Sequence, residues 1–301
     1  MPRKTDPVTI RELLQQGRAP LADSSDSARL DAEILLEHVL EAPRVAFYTR
    51  DADPVATGAS EHFLRLVEQR RRGRPVAQLV GRREFWSMTL EVTTDTLIPR
   101  PETELLVERG LLRIQPQTAA SVLELGTGCG AIALAIAKER PAAVLTATDI
   151  SEAALKVADG NARRLNIGGI CWRKGPWFEP LRGSRFDIIL SNPPYVATET
   201  NGCPDPAAVH EPSIALFAGP DGLDAIRLII GQADAHLRAG GWLLLEHAMD
   251  QAEVVRSLLA ERGFGSIATY RDLSGHQRVT EACWNQDATG SINCGMQDSD
   301  D

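Results

Sequence analysis

"VLELGTGCGAIALAIA", residues 122–137, sets the frame for the whole chain. An apolar run of strand length leads into Gly126, Gly128 and Gly130, and from there into an apolar segment of helical length. Glycines between a strand and a helix let the chain turn tightly and let a ligand approach the backbone closely. The unit therefore reads as a cradle for a nucleotide-type cofactor, with Thr127 and Cys129 completing the loop and Glu124 just ahead of it. The same spacing satisfies the dinucleotide form G-x-G-x-x-G/A, so the loop alone does not choose between NAD and S-adenosylmethionine.

The next expected strand, residues 144–149, ends in "TDIS". A carboxylate at Asp149 is placed to accept hydrogen bonds from both hydroxyls of an adenosine ribose. The plainer alternative is that Asp149 caps the helix starting near Ser151. Further strands are expected at 170–172, 186–191 and 242–246, with helices at 130–139, 152–164, 222–238 and 249–262. Such alternation predicts a doubly wound α/β sheet.

Toward the N-terminus the pattern is helical across residues 8–75. Ala28, Ala32, Leu35, Leu36 and Val39 fall on one helix face, with capping residues in "DSSDS" just before them. A second helix holds Phe63, Leu66 and Val67 and ends at Gly73, before Pro75. Residues 76–100 read instead as a short hairpin or extended linker, and 102–114 return to helix. The expected organisation is a helical domain over 1–80, a hairpin or linker over 81–100, an α/β domain over 101–284 and a disordered acidic tail over 285–301.

Composition narrows the class of function. The net charge is −9, and the one basic run (Arg70, Arg71, Arg72, Arg74, then Arg82 and Arg83) reads as a solvated helix terminus. That argues against a broad nucleic-acid surface. Five scattered cysteines without C-x-x-C pairing suggest neither a disulfide framework nor a metal site, and a cytoplasmic monomer is the default expectation. No apolar run approaches the ~18 residues of a membrane span.

The expected strand 186–191 runs straight into "NPPY", Asn192, Pro193, Pro194 and Tyr195. Proline removes a backbone donor, so two in a row at a strand end demand a reason. Methylation of a planar amino group supplies one. Such a nitrogen has a delocalised lone pair and is a poor nucleophile, so it must be held in line with the methyl donor. The Asn192 side-chain carbonyl and the Pro193 backbone carbonyl can accept its two hydrogens, and the prolines fix that geometry in advance. Tyr195 offers a planar face for the target group. Hydride transfer has no comparable need of a rigid Asn-Pro-Pro corner.

With "RPVAQLVGRREFW" (74–86), "LIPRPETELLVE" (97–108), "WFEPL" (177–181), "HEPSIALFAGPDGL" (210–223) and "LLLEHA" (243–248), the chain resembles the release-factor glutamine N(5)-methyltransferases, the PrmC/HemK family. "RDLSGHQRVTEA" (271–282) is similar to the family's last strand region. The resemblance spans roughly residues 10–283. It implies a Rossmann-like class I S-adenosylmethionine-dependent methyltransferase domain and a helical N-terminal domain that docks the substrate protein. It also implies cofactor contacts from Gly126 to Gly130, Asp149, Trp177 and Asn192. Asn192, Pro193, Pro194 and Tyr195 would hold the glutamine of the Gly-Gly-Gln loop of peptide-chain release factors. Pro176 stands where the family often has an acid, which removes one expected adenine contact. Arg100 and Glu124 are further candidates for substrate or cofactor contact, although Arg100 could equally pair with Glu102 or Glu104. The alternatives are an N(6)-adenine-type nucleic-acid methyltransferase and a non-catalytic cofactor-binding module.

Overall fold

The computed structural model describes residues 8–198 and 206–285. The acidic tail lies outside this set from residue 286 onward. Of the described residues, 8–82 and 206–210 form one compact unit, and 83–198 and 211–285 a second.

The first unit is helical: α1 (Ile10–Leu21), α2 (Ala28–Leu40), α3 (Ala46–Thr49), α4 (Thr57–Arg71) and α5 (Val76–Val80). Thr9 and Glu12 form a reciprocal capping box that starts α1. Ala32, Leu35 and Leu36 of α2 are fully buried and pack with Phe63, Leu66 and Val67 of α4. The serines before α2 do not cap it. Ser25 and Ser27 instead donate to the buried Asp31 carboxylate at 2.8 and 2.9 Å, and Arg70 joins them at 2.7 Å. A buried charge recruits every nearby donor, because leaving it unpaired costs more than an open helix end. Arg71 and Arg72 behave as a solvated terminus, both on Glu68, whereas Arg74 is half-buried on Gln69, and Arg82 and Arg83 belong to a strand. Residues 76–80 are helix and not extended chain. Pro75 sits at the N-cap, and Gly81 closes the helix at φ +72°. That punctuation outweighs the two valines.

A two-stranded hairpin follows, β1 (Arg82–Phe85) and β2 (Met88–Glu91). The second unit then adds α6 (Glu104–Arg113), β3 (Ser121–Leu125), α7 (Ala131–Glu139), β4 (Val144–Asp149), α8 (Glu152–Arg164), β5 (Ile170–Lys174) and β6 (Phe186–Ser191). It ends with α9 (Asp224–His236), β7 (Leu237–Glu246), α10 (Ala252–Arg262), β8 (Gly265–Arg271) and β9 (Gln277–Trp284). The seven-stranded sheet has the order β5-β4-β3-β6-β7-β9-β8. Its first five strands are parallel, and β9 runs antiparallel to both β7 and β8. Strand β7 starts at Leu237, ahead of the expected Trp242: Leu237 pairs with Phe186, the strand bulges away from β6 at 238–241 with Gly240 at φ +76°, and pairing resumes at Trp242 with Ile188. The β8–β9 hairpin accounts for the "RDLSGHQRVTEA" segment.

Strand order reverses between β3 and β6, which pair in parallel from Val122–Ile188 to Leu125–Ser191. In an open α/β sheet the crevice at the carboxyl ends of those two strands is the ligand site. The glycine loop leaves β3 there and Asn192 leaves β6 there. No helix among the described residues is long and apolar enough to cross a membrane.

Candidate active site

A cavity of about 300 Å³ opens at this switch point. Gly126 and Gly128 form part of its wall, with Asp149, Ile150 and Ser151 from the end of β4 and the start of α8. Gly175, Pro176 and Trp177 follow β5, Asn192 and Pro194 follow β6, and the segments 95–97 and 212–217 supply the rest.

Each glycine has its own reason. Gly128, at φ +56°, faces open space, so its backbone is available to a bound molecule. Gly130, at φ +85°, caps the N-terminus of α7, and a Cβ there would meet the Ala158 Cβ at 3.1 Å and its Cα at 3.3 Å. The third glycine thus lets α7 and α8 pack closely. Thr127, Cys129 and Gly130 are buried behind the loop and do not line the cavity.

Glu124 is also behind the loop, at 2 % exposure. Its Oε2 accepts from the Thr127 hydroxyl at 2.6 Å and from the Ala133 amide at 2.9 Å. Burial pushes its carboxyl up to about 8, against the pull of those two hydrogen bonds. Glu124 fastens the loop to α7 and makes no wall of the cavity, so the contact expected of it is indirect.

Asp149 is not the cap of α8; it ties the start of that helix to the glycine loop. Its Oδ1 accepts from the Ser151 amide and its Oδ2 from the Gly128 amide, each at 2.8 Å. The true cap of α8 is Ser151, whose hydroxyl accepts from the Ala154 amide at 3.1 Å. Burial raises the Asp149 carboxyl, and the bonds from Ser151, Gly128 and Ile150 counter it. A carboxylate offers about four acceptor positions, so capacity remains on the cavity side for a diol.

At the opposite end, Ser191 closes β6 by donating to the Leu125 carbonyl at 2.8 Å. Pro193 and Pro194 lie beyond the strand and take no bond from the sheet. The Pro193 carbonyl accepts no hydrogen bond among the described residues. The Asn192 amide nitrogen donates to the Thr103 hydroxyl at 3.1 Å, which turns its carbonyl toward the cavity it lines. Tyr195 is turned away. Its ring packs on the hydrophobic core and its hydroxyl donates to Glu246 Oε1 at 3.3 Å, so it forms no part of the cavity wall. Burial raises its phenol, reinforced by the Glu246 charge.

Arg100 pairs with neither Glu102 nor Glu104. Its Nη2 lies 3.0 Å from Oε2 of Glu211, whose side chain is fully buried, and it does not line the cavity. Trp177 does line it, against Gly126, and Pro176 beside it presents an apolar wall. Sequence reasoning assigned no role to Pro212, Ile214, Ala215 and Phe217, which it quoted only as part of a resembling stretch. Val196 binds the backbone of Leu216 and Ala218, and this pairing carries the 212–217 segment to the cavity. Nothing short of three-dimensional pairing signals that.

Two family models match the chain: PrmC N-terminal domain over residues 12–81 and Methyltransferase small domain over residues 102–203. A protein from Xylella fastidiosa named release factor glutamine methyltransferase is 50% identical over 252 residues, 84% of this chain and 92% of its own length. A Pseudomonas aeruginosa protein of the same name is 46% identical over 276 residues, 92% of this chain and 99% of its own. The chain belongs to the release factor glutamine methyltransferase family. Its fold is that of class I methyltransferases: a methyltransferase from Pyrococcus furiosus superposes with a TM-score of 0.51 at 20% identity, covering 65% of this chain and 89% of that one.

Proposed function

We infer that this chain transfers a methyl group from S-adenosylmethionine to the side-chain amide nitrogen of the glutamine in the Gly-Gly-Gln loop of peptide-chain release factors. The observation that carries the chemistry is the meeting, in one cavity, of Gly126, Gly128 and Asp149 with Asn192. Family membership narrows the acceptor to a release-factor glutamine.

The residues fit the cofactor. Gly128 leaves the room a side chain would fill, Asp149 keeps acceptor capacity for ribose hydroxyls, and Pro176 and Trp177 offer an apolar wall to a flat ring. When bound, the cofactor supplies an electrophilic methyl on a sulfonium.

The protein's own part is to hold the acceptor nitrogen. Asn192 Oδ1 and the Pro193 carbonyl take the two amide hydrogens, which draws electron density onto nitrogen and fixes its direction of approach. No strong base is needed, because the proton leaves readily once nitrogen carries positive charge. His247 fits that view. It is fully buried, with Nδ1 on the Ala248 carbonyl and Nε2 on the Thr280 hydroxyl, both at 2.8 Å.

This reading places the enzyme in the cytoplasm with the translation machinery, and gives the helical unit the task of docking the factor. Labelled S-adenosylmethionine offered together with a release factor, DNA and RNA tests it. Label on the release factor is the expected result; label on nucleic acid alone would overturn the assignment.

A further inference from the structure

We propose that Gln251 clamps the Asn-Pro-Pro-Tyr corner at its far end, which makes it a positioning residue for methyl transfer. The proposal rests on the function inferred above. Asn192 and the Pro193 carbonyl must stand still to aim an amide nitrogen, yet the corner is poorly equipped to hold itself. Pro193 and Pro194 have no N–H to give, so no acceptor elsewhere in the fold can tie down their nitrogens. The backbone of the corner is therefore fixed largely by its two ends. The near end is Ser191, which pairs with Leu125 and Leu245 in the sheet and donates its hydroxyl to the Leu125 carbonyl. The far end is Tyr195, which lies beyond the strand.

Gln251 serves that far end. It is the N-cap residue of α10 and is 8 % exposed. Its side-chain nitrogen donates to the Tyr195 carbonyl at 3.1 Å and to the carbonyls of Gly222 and Asp221 at 3.3 and 3.4 Å. Its side-chain oxygen accepts from the Ala248 amide at 3.0 Å. A primary amide has two hydrogens to give and an oxygen that accepts. Here the carbonyls face its nitrogen and the N–H faces its oxygen, so every partner agrees on one sense of the amide. One side chain thus joins the end of the corner to the loop before α9 and to the turn after β7.

Gly222 closes in on the same carbonyl. It sits at φ +76°, and a Cβ there would collide with the Tyr195 carbonyl oxygen and stand 2.9 Å from the Gln251 side-chain nitrogen. The residue after Tyr195 is held as well, because Val196 binds the backbone of Leu216 and Ala218. Neither Gln251 nor Gly222 lines the cavity, so the effect of both passes through the corner.

The test uses Gln251→Met, which keeps the length of the side chain and removes its donors, beside Gly222→Ala, which crowds the same carbonyl. Methyl transfer to a release factor is followed in steady state. Calorimetry gives cofactor affinity and the number of binding sites, and the urea midpoint gives stability. The clamp predicts that each variant loses about 10–100-fold in kcat per cofactor-binding site, while KM for the factor and cofactor Kd move less than about threefold. A part in stability alone predicts a lower urea midpoint with that kcat unchanged. Either variant with kcat within about threefold of the parent overturns the clamp, as does a loss that appears in cofactor Kd as strongly as in kcat. Should Gln251→Met bind no cofactor, Gln251→Asn replaces it under the same expectations; one methylene shorter, it keeps the amide and withdraws the donors. A parent enzyme that methylates no release factor overturns the inferred function and takes the clamp with it, whereas a methylating parent with unaffected variants overturns the clamp alone.

Discussion

Asn192 and Asp149 divide the labour of the cavity, and substitution separates them. Asn192→Ala removes an acceptor needed only as the methyl moves, so kcat should fall about 100-fold or more with cofactor Kd nearly unchanged. Asp149→Ala removes the carboxylate proposed to hold the cofactor's ribose, so cofactor Kd should rise about 10–100-fold. Calorimetry beside initial rates checks both, and a loss of cofactor binding in Asn192→Ala would contradict its role. That both residues line the cavity was legible in the sequence because their placement depends on local order: an acid at a strand end, an asparagine before prolines. Glu124 and Tyr195 were not read correctly for the opposite reason. A residue one or two places from a site can point into it or away, and here burial turns Glu124 onto Thr127 and Tyr195 onto Glu246.

At the scale of elements, the site depends on how closely α7 approaches α8. Gly130→Ala would place a methyl against the Ala158 backbone in a left-handed conformation. It should cost about 2 kcal/mol. The urea midpoint measures this, and a variant as stable as the parent would mean that the glycine serves only ligand approach. The strand–loop–helix unit around Gly130 was readable because hydrophobic period and glycine punctuation agree. Elements where the two signals disagree were misread. Residues 76–80 carry β-branched side chains but sit between Pro75 and Gly81, and the punctuation wins. In the first half of β7, Gly240 and Gly241 mark a bulge and not the strand's start, because pairing with β6 already holds at Leu237 and resumes at Trp242.

For the whole molecule, three buried titratable groups shape stability against pH. Burial lifts Glu246 from 4.5 to about 7 and Glu124 from 4.5 to about 8. The folded state therefore keeps protons the unfolded chain releases, and stability falls as pH rises across those windows. Burial lowers His247 below 6.5, so protonation of the unfolded chain removes stability as pH falls beneath that value. Glu246→Gln should flatten the decline between pH 4.5 and about 7. Urea midpoints across that range test it, and an unchanged slope would assign the decline elsewhere. The doubly wound sheet was foreseeable because alternation of strands and helices leaves few topologies. The sheet order, which puts β3 beside β6 and so makes one cavity of two motifs, follows from chirality and connection rules as much as from any residue. The central claim is that this cavity presents a planar glutamine amide to a methyl donor. Mass-spectrometric mapping of a release factor after reaction tests it most directly. The account predicts one added methyl on the side-chain nitrogen of the Gly-Gly-Gln glutamine, absent with Asn192→Ala; a methyl on any other residue, with that glutamine unmodified, would contradict it.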